Sequence, residues 1–241
     1  MYFNSKNLRL ESPIMLLKKE NTIKYIPGKT NVKKNHAIIL VHGLIRSHHS
    51  MKHLGKHLSA QGYDIYLYQY QSTQLNIATH CSNFKHALYR ISNRFSSGKT
   101  GTISIITHSL GGIIARQTLS ELKEDKLQLF SNLILLTPPN KGSALANLIT
   151  RILPFMKKLI KPLAELSNHT TSYIHQVKTP AHIKIGIIAA KYDHAAPAST
   201  TQLKEQNDFT VIKTGHSFIM NNTKARQQIL FFLQHGAFCS A

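Results

Sequence analysis

The apolar positions of the chain change period repeatedly. Short continuous runs stand at Ala37-Ile38-Ile39-Leu40-Val41, Thr102-Ile103-Ser104-Ile105-Ile106, Leu133-Ile134-Leu135-Leu136 and across residues 182–190. Runs this short, apolar throughout and rich in β-branched residues, predict strands covered on both sides, as in a parallel sheet. Residues 63–70 alternate and predict a further strand, and Val211-Ile212 a short final one. Between these runs the apolar residues recur at helical spacing, as in Met51, Leu54 and Leu58, then across residues 77–94, 113–122 and 223–234. In the last of these, Ile229, Phe231, Phe232 and Leu233 are expected to pack on the sheet, and Ser47 or Ser50 is expected to cap the first helix. Strand alternating with helix predicts an α/β fold, a mostly parallel sheet with helices on both faces.

Two segments break that rhythm. Residues 1–35 are polar and rich in Lys and Asn, with extended pieces around 14–17 and 22–26, and predict an edge hairpin or irregular lead-in to a main domain over 36–241. Residues 144–179 interleave Leu148, Ile149, Ile152, Leu153 and Phe155 with Arg151, Lys157, Lys158 and Lys161, and are interrupted by Pro154 and Pro162. This pattern predicts broken, basic amphipathic helices: a short helical cap over a site, or helices packed on the sheet with their lysines in solvent. At 241 residues the chain suits one large domain, or one with an insertion.

The candidate chemistry lies where predicted strands end. Thr107-His108-Ser109-Leu110-Gly111-Gly112 joins the strand at 102–106 to the helix at 113–122. A serine at such a turn has its Oγ lifted above the sheet edge, and the next N–H stands at a helix N-terminus, where an oxyanion is stabilised. Strand and helix nearly touch there, so small residues are needed two before and two after the serine. Gly111 satisfies the second requirement, and Thr107 is larger than the usual Gly at the first. The strand at 37–41 runs into His42-Gly43-Leu44-Ile45-Arg46-Ser47, whose backbone offers a second oxyanion donor: the N–H of Leu44, with Gly43 as the alternative. Asp193 follows the strand at 182–190, and His216 stands in Thr214-Gly215-His216-Ser217-Phe218 after the final strand.

Ser109, Asp193 and His216 thus occur in an order that suits a nucleophile, an orienting acid and a general base. Asp208 and Glu205 are alternatives for the acid, but Asp208 begins the final strand, at the wrong end of the sheet. Among 15 histidines, His194 and His235 are rivals to His216, while His42 and His108 flank the site and are expected to shape it. The predicted oxyanion donors are the N–H groups of Leu44 and Leu110.

With Val41-His42-Gly43-Leu44, the serine turn, Thr137-Pro138-Pro139-Asn140-Lys141-Gly142-Ser143, Asp193 with Pro197 four residues on, and Gly215-His216, residues 36–235 resemble the α/β-hydrolase superfamily. Within it they resemble the lipase/esterase branch that includes the inositol-deacylase-like proteins. The resemblance implies a serine hydrolase that cleaves carboxylic esters, often lipid ones, without a cofactor. The same triad serves acyltransferases and thioesterases, and a basic scaffold that binds a membrane or partner without catalysis is the non-enzymatic alternative. The departures are Thr107 for Gly and a cap insertion shorter than in larger lipases, which argues against long triglycerides.

Charge changes the picture in one respect. With 30 Lys+Arg against 10 Asp+Glu the chain carries a formal +20, which favours polyanions such as an anionic membrane surface, or reflects a general lysine bias. The lysines are scattered without a recognition module, so no specific nucleic acid is predicted. His49, His53 and His57 share a helix face, but no Asp or Glu stands near them to complete a metal shell, and a solvated face is expected. Gly98-Lys99-Thr100 resembles the end of a phosphate loop, but position 93 is Asn rather than Gly, so no nucleotide site is expected. Cys81 and Cys239 lie far apart, without redox or metal spacing. No apolar run reaches membrane-spanning length, and Met1-Tyr2-Phe3-Asn4-Ser5-Lys6 does not start a signal peptide, so a cytoplasmic protein is expected, with non-classical export left open.

Overall fold

The computed structural model describes residues 21–30, 35–93, 101–167 and 172–239. In chain order these form β1 (Thr22–Ile26), β2 (His36–Val41), α1 (His49–Ala60), β3 (Asp64–Gln69), α2 (Ile77–Ser92), β4 (Thr102–His108), α3 (Leu110–Ser120), α4 (Glu124–Leu127) and β5 (Phe130–Leu136). Three short helices follow, α5 (Ala144–Ile152), α6 (Met156–Leu159) and α7 (Pro162–Glu165). The chain returns through a 3-10 turn at Tyr173–Gln176 to β6 (Lys184–Tyr192), α8 (Ala198–Thr201), β7 (Asp208–Gly215), a second 3-10 turn at His216–Asn221, and α9 (Thr223–His235).

The seven strands make one sheet in the order β1-β3-β2-β4-β5-β6-β7. β1 pairs antiparallel to β3, and every other pairing is parallel. The strands alternate their side chains between two cores. Ala37, Ile39 and Val41 of β2 join the α2 and α3 side, while Ile38 and Leu40 join the α1 and α9 side. Both sets are fully buried, which is why the sequence reads as continuous apolar runs. Each Val, Ile or Leu among them contributes roughly 1.5–3 kcal/mol by leaving water.

Several expectations need correction. Of the two predicted edge pieces, the one at 22–26 is the edge strand β1, paired antiparallel to β3, and the piece at 14–17 lies outside the described residues, as do Gly98-Lys99-Thr100 and the last predicted residue of α2, Arg94. The final strand is long, running eight residues from Asp208, because main-chain pairing to β6 carries a polar, half-buried edge that apolar patterning does not register. α1 starts after His48 without a side-chain cap, and Ser50 instead donates to the Ser47 carbonyl. Phe231 is only half-buried and leans on His235 at 4.2 Å between rings, while Phe232 fills the core position.

Candidate active site

β4 ends at His108, and Ser109 turns the chain into α3 with φ 50° and ψ −121°, a conformation a side-chain-bearing residue adopts only when its surroundings fix it. Part of that fixing is the Ser109 N–H, which donates to the Leu136 carbonyl at 2.9 Å. Close packing supplies the rest. A Cβ on Gly111 would stand 2.7 Å from the His42 carbonyl oxygen and 2.9 Å from that of Val41, so only glycine lets α3 start against β2. Gly112 explains how Thr107 is accommodated: a Cβ there would lie 3.2 Å from Thr107 Oγ1, so the missing side chain five positions further on makes the room.

Left-handed backbone recurs around this point. Ile45 (φ 56°) follows β2, and Thr137 (φ 46°) follows β5, on either side of Ser109. Both are β-branched, the residue type for which positive φ is most strained. The Ile45 N–H is held by Ser72 Oγ at 3.0 Å, and the Thr137 N–H by the Ile188 carbonyl at 2.9 Å. Non-glycine strain thus collects at the carboxyl ends of three neighbouring strands.

The structure brings Ser109, His216 and Asp193 into a line. Ser109 Oγ lies 3.0 Å from His216 Nε2, and His216 Nδ1–H donates to Asp193 Oδ2 at 2.6 Å. The other carboxylate oxygen, Oδ1, accepts the N–H groups of Ala195 at 2.9 Å and Ala196 at 2.8 Å. Asp193 is buried and His216 partly open. An acid fixed by two amides holds the imidazole with Nδ1 protonated and Nε2 free to accept a proton from the serine.

The other candidates fall elsewhere. His194 is exposed, His235 ends α9 against Phe231, and Asp208 caps the start of β7 by accepting the Phe209 and Phe238 amides. Glu205 Oε2 lies 3.5 Å from Thr179 Oγ1. Of the helix-face histidines, His53 Nδ1 lies 3.1 Å from Arg226 Nη1, so that face meets α9. Among the described residues no group of three or more His, Cys, Asp or Glu could hold a metal ion.

His108 and His42 are both buried and neutral. His108 Nε2–H donates to the His216 carbonyl at 2.9 Å, tying the His216 loop to the strand that ends at the serine. Burial, aided by the nearby His216, pulls its pKa down to about 3. A Cβ on Gly43 would lie 2.7 Å from its other ring nitrogen, so the loop after β2 closes directly on His108. His42 stacks on Tyr70 at 4.3 Å and donates Nδ1–H to the Gly43 carbonyl at 2.9 Å; burial lowers its pKa to about 4. The Leu44 and Leu110 N–H groups have no hydrogen-bond partner among the described residues.

A cavity of about 260 Å³ opens over Ser109 and His216. Its walls are apolar, with Ile149, Met156, Ile160, Leu163 and Leu166 from α5 to α7 and the segment after it, and Leu44 with Ile45 opposite. A larger cavity of about 460 Å³ lies by Lys24, His48 and Gln69, but none of Ser109, Asp193 and His216 lines it. Patterning did not foretell how the segment 144–167 is tied down. Ser143 Oγ donates to the Ala195 carbonyl at 2.7 Å, the Lys161 N–H to the Thr73 carbonyl at 2.9 Å, and Glu165 Oε2 accepts the Ile77 N–H at the start of α2 at 2.9 Å. Arg116, buried in α3, donates to Asn140 Oδ1, the Val177 carbonyl and Thr179 Oγ1 at 2.8, 3.1 and 3.2 Å. The signal available was a lone cation in the apolar run Ile113-Ile114-Ala115-Arg116.

A serine on a strand-to-helix turn of a mostly parallel sheet, followed in the chain by Asp and His beyond later strands, defines the α/β-hydrolase fold. Residues 31–172 match the model of the family described as "Putative serine esterase (DUF676)", and the chain belongs to that family, a carboxylic ester hydrolase by class. Solved structures agree in fold. The mature lipase BlEst2 of Bacillus licheniformis superposes with a TM-score of 0.68 at 16% identity, over 89% of this chain and 98% of that one. The esterase EaEST of Exiguobacterium antarcticum gives 0.59 at 13% identity, over 89% and 95%. The phospholipase PlaB of Legionella pneumophila gives 0.54 at 23% identity, over 65% of this chain and 39% of that one. No curated protein matches the chain in sequence.

Proposed function

We propose that the protein cleaves carboxylic esters of lipid character through an acyl-enzyme on Ser109. The observation that carries this reading is the Ser109–His216–Asp193 line, at 3.0 and 2.6 Å, on the floor of an apolar cavity. His216 Nε2 takes the Ser109 proton as Oγ attacks the ester carbonyl, and Asp193 stabilises the imidazolium that forms. The tetrahedral oxyanion is met by the N–H groups of Leu110, at the start of α3, and Leu44. His216 then protonates the departing alcohol, and water activated by the same imidazole releases the acid.

The apolar walls suit an acyl chain. A volume of about 260 Å³ falls below the roughly 300–1,000 Å³ of sites that take drug-sized ligands, which favours short and medium chains. The phospholipase among the structural relatives is in keeping with a lipid ester. With a formal +20, an anionic membrane surface is the partner the charge favours.

The test is hydrolysis of chromogenic esters of rising acyl length by the wild type and Ser109→Ala. The expected result is a peak at short to medium chains and a loss of kcat on the order of 10³–10⁶ in the variant. A variant that keeps its activity, or a folded wild type that neither turns over any ester nor becomes labelled at Ser109 by a serine-reactive phosphonate, would overturn the proposal.

A further inference from the structure

The helices that wall the cavity also carry a face with no protein against it. Leu145, Leu148, Ile152, Leu153, Phe155 and Leu159 are each between 40% and 64% exposed. In α5, Leu145, Leu148 and Ile152 fall at i, i+3 and i+7 and so make one stripe, while Ala146 and Thr150 turn inward. On the opposite lip Ile45 is 67% and Phe218 66% exposed, beside Arg46 and Ser217, which line the same cavity. Large side chains exposed together around one opening mark a surface that meets something apolar.

Charge says what that is. Residues 144–164 contain Arg151, Lys157, Lys158 and Lys161 and no Asp or Glu. Glu165, the first acid, is turned away into the amide of Ile77. On α5, Arg151 is exposed directly beside the apolar stripe. Apolar side chains flanked by cations, with no acid among them, fit the headgroup boundary of an anionic bilayer. A second copy of the chain would set basic face against basic face, so self-association is disfavoured.

We infer that the exposed face of residues 145–159, with Ile45 and Phe218 across the opening, docks on an anionic lipid bilayer and sets the mouth of the Ser109 cavity against the membrane. The docking is a property of the surface; that it serves to admit a lipid ester rests on the hydrolase reading above.

The experiment uses the full chain as Ser109→Ala, which leaves the lipid intact, in sedimentation with vesicles of phosphatidylcholine alone and of phosphatidylcholine with phosphatidylglycerol at 0.15 M salt. A +20 protein adsorbs to anionic vesicles by charge alone, so the deciding arm is the further change Leu148→Ser, Ile152→Ser and Leu159→Ser, none of which lines the cavity. Expected are binding to the anionic vesicles, a loss of about tenfold or more in the triple change, and weak binding to neutral vesicles. With Ser109 restored, the triple change should leave kcat/KM for a water-soluble short ester unaltered, which shows that it folds. Failure of that ester assay in both proteins would count against the hydrolase reading and leave the docking result standing. Equal vesicle binding with and without the three leucine and isoleucine side chains would overturn the docking surface, as would a dimer of the parent that the triple change dissolves.

Discussion

Thr107 replaces the residue with the least side chain at the tightest point of the fold, and the way it fits is a matter of two atoms. Thr107 Oγ1 occupies space next to the Cα of Gly112, where a Cβ would come within 3.2 Å of it and of Leu135 Cδ2, and 3.3 Å of Pro138. Gly112→Ala is therefore expected to cost about 1–3 kcal/mol by overpacking. In a Thr107→Ala background the same change should cost less, because one of the three obstructing side chains has gone. Urea unfolding of the four proteins measures the coupling, and strict additivity would show that Thr107 and Gly112 do not compensate one another. At this scale much of the site was legible. Ser109 and Asp193 each follow an apolar run, where a polar residue beyond a buried strand stands out, while His216 follows only the short Val211-Ile212 pair. The left-handed turns at Ile45 and Thr137 were not legible, since nothing local in a β-branched residue favours them; they arise from distant partners, Ser72 and Ile188.

Among the elements, the segment 144–167 is tied at its flanks by polar contacts that its apolar pattern does not register. Arg116 joins α3 to the loop after β5 and to the chain ahead of β6, and its guanidinium is fixed by an amide oxygen, a carbonyl and a hydroxyl. Burial brings its pKa down to about 10, which leaves it charged at neutral pH. Arg116→Met should lower stability by about 2–4 kcal/mol, because several buried acceptors lose a charged donor at once. Arg116→Lys should recover less than half of that, since an ammonium cannot reach three acceptors spread across a planar fork. Thermal unfolding of the three proteins is the measurement, and full recovery by Lys would mean that charge rather than geometry matters there. Strand and helix periods announced the sheet order's components well, as β2, β4 and β5 show. They placed an extended edge piece at 22–26 but could not announce its antiparallel pairing with β3, or β7 as an eight-residue strand, because edge strands are specified by main-chain pairing rather than by burial.

For the whole molecule, a formal +20 with only 10 acidic residues makes the response to acid unusual. In most proteins carboxylates dominate acid unfolding, whereas here buried histidines stand ready to do so earlier. Burial holds His42 and His80 at about 4 and His108 at about 3, all below the 6.5 of an exposed imidazole. A folded-state pKa below the unfolded one means that the unfolded chain binds the proton first. The stability these groups contribute is therefore complete above pH 6.5 and is lost as pH falls towards 4, with an upper limit of about 1.4 kcal/mol per pH unit for each. The urea midpoint should be level between pH 8 and 7 and fall steeply from 6.5 to 4.5. His80 packs edge-on against Tyr70 at 4.9 Å and takes no part in the proposed chemistry, which makes His80→Leu the informative variant. It should reduce the slope by close to one proton while the histidines at the site, His42 and His108, keep theirs. A midpoint that stays level down to pH 5 in the wild type, or a slope unchanged in the variant, would mean that these imidazoles do not govern the acid limit of the fold.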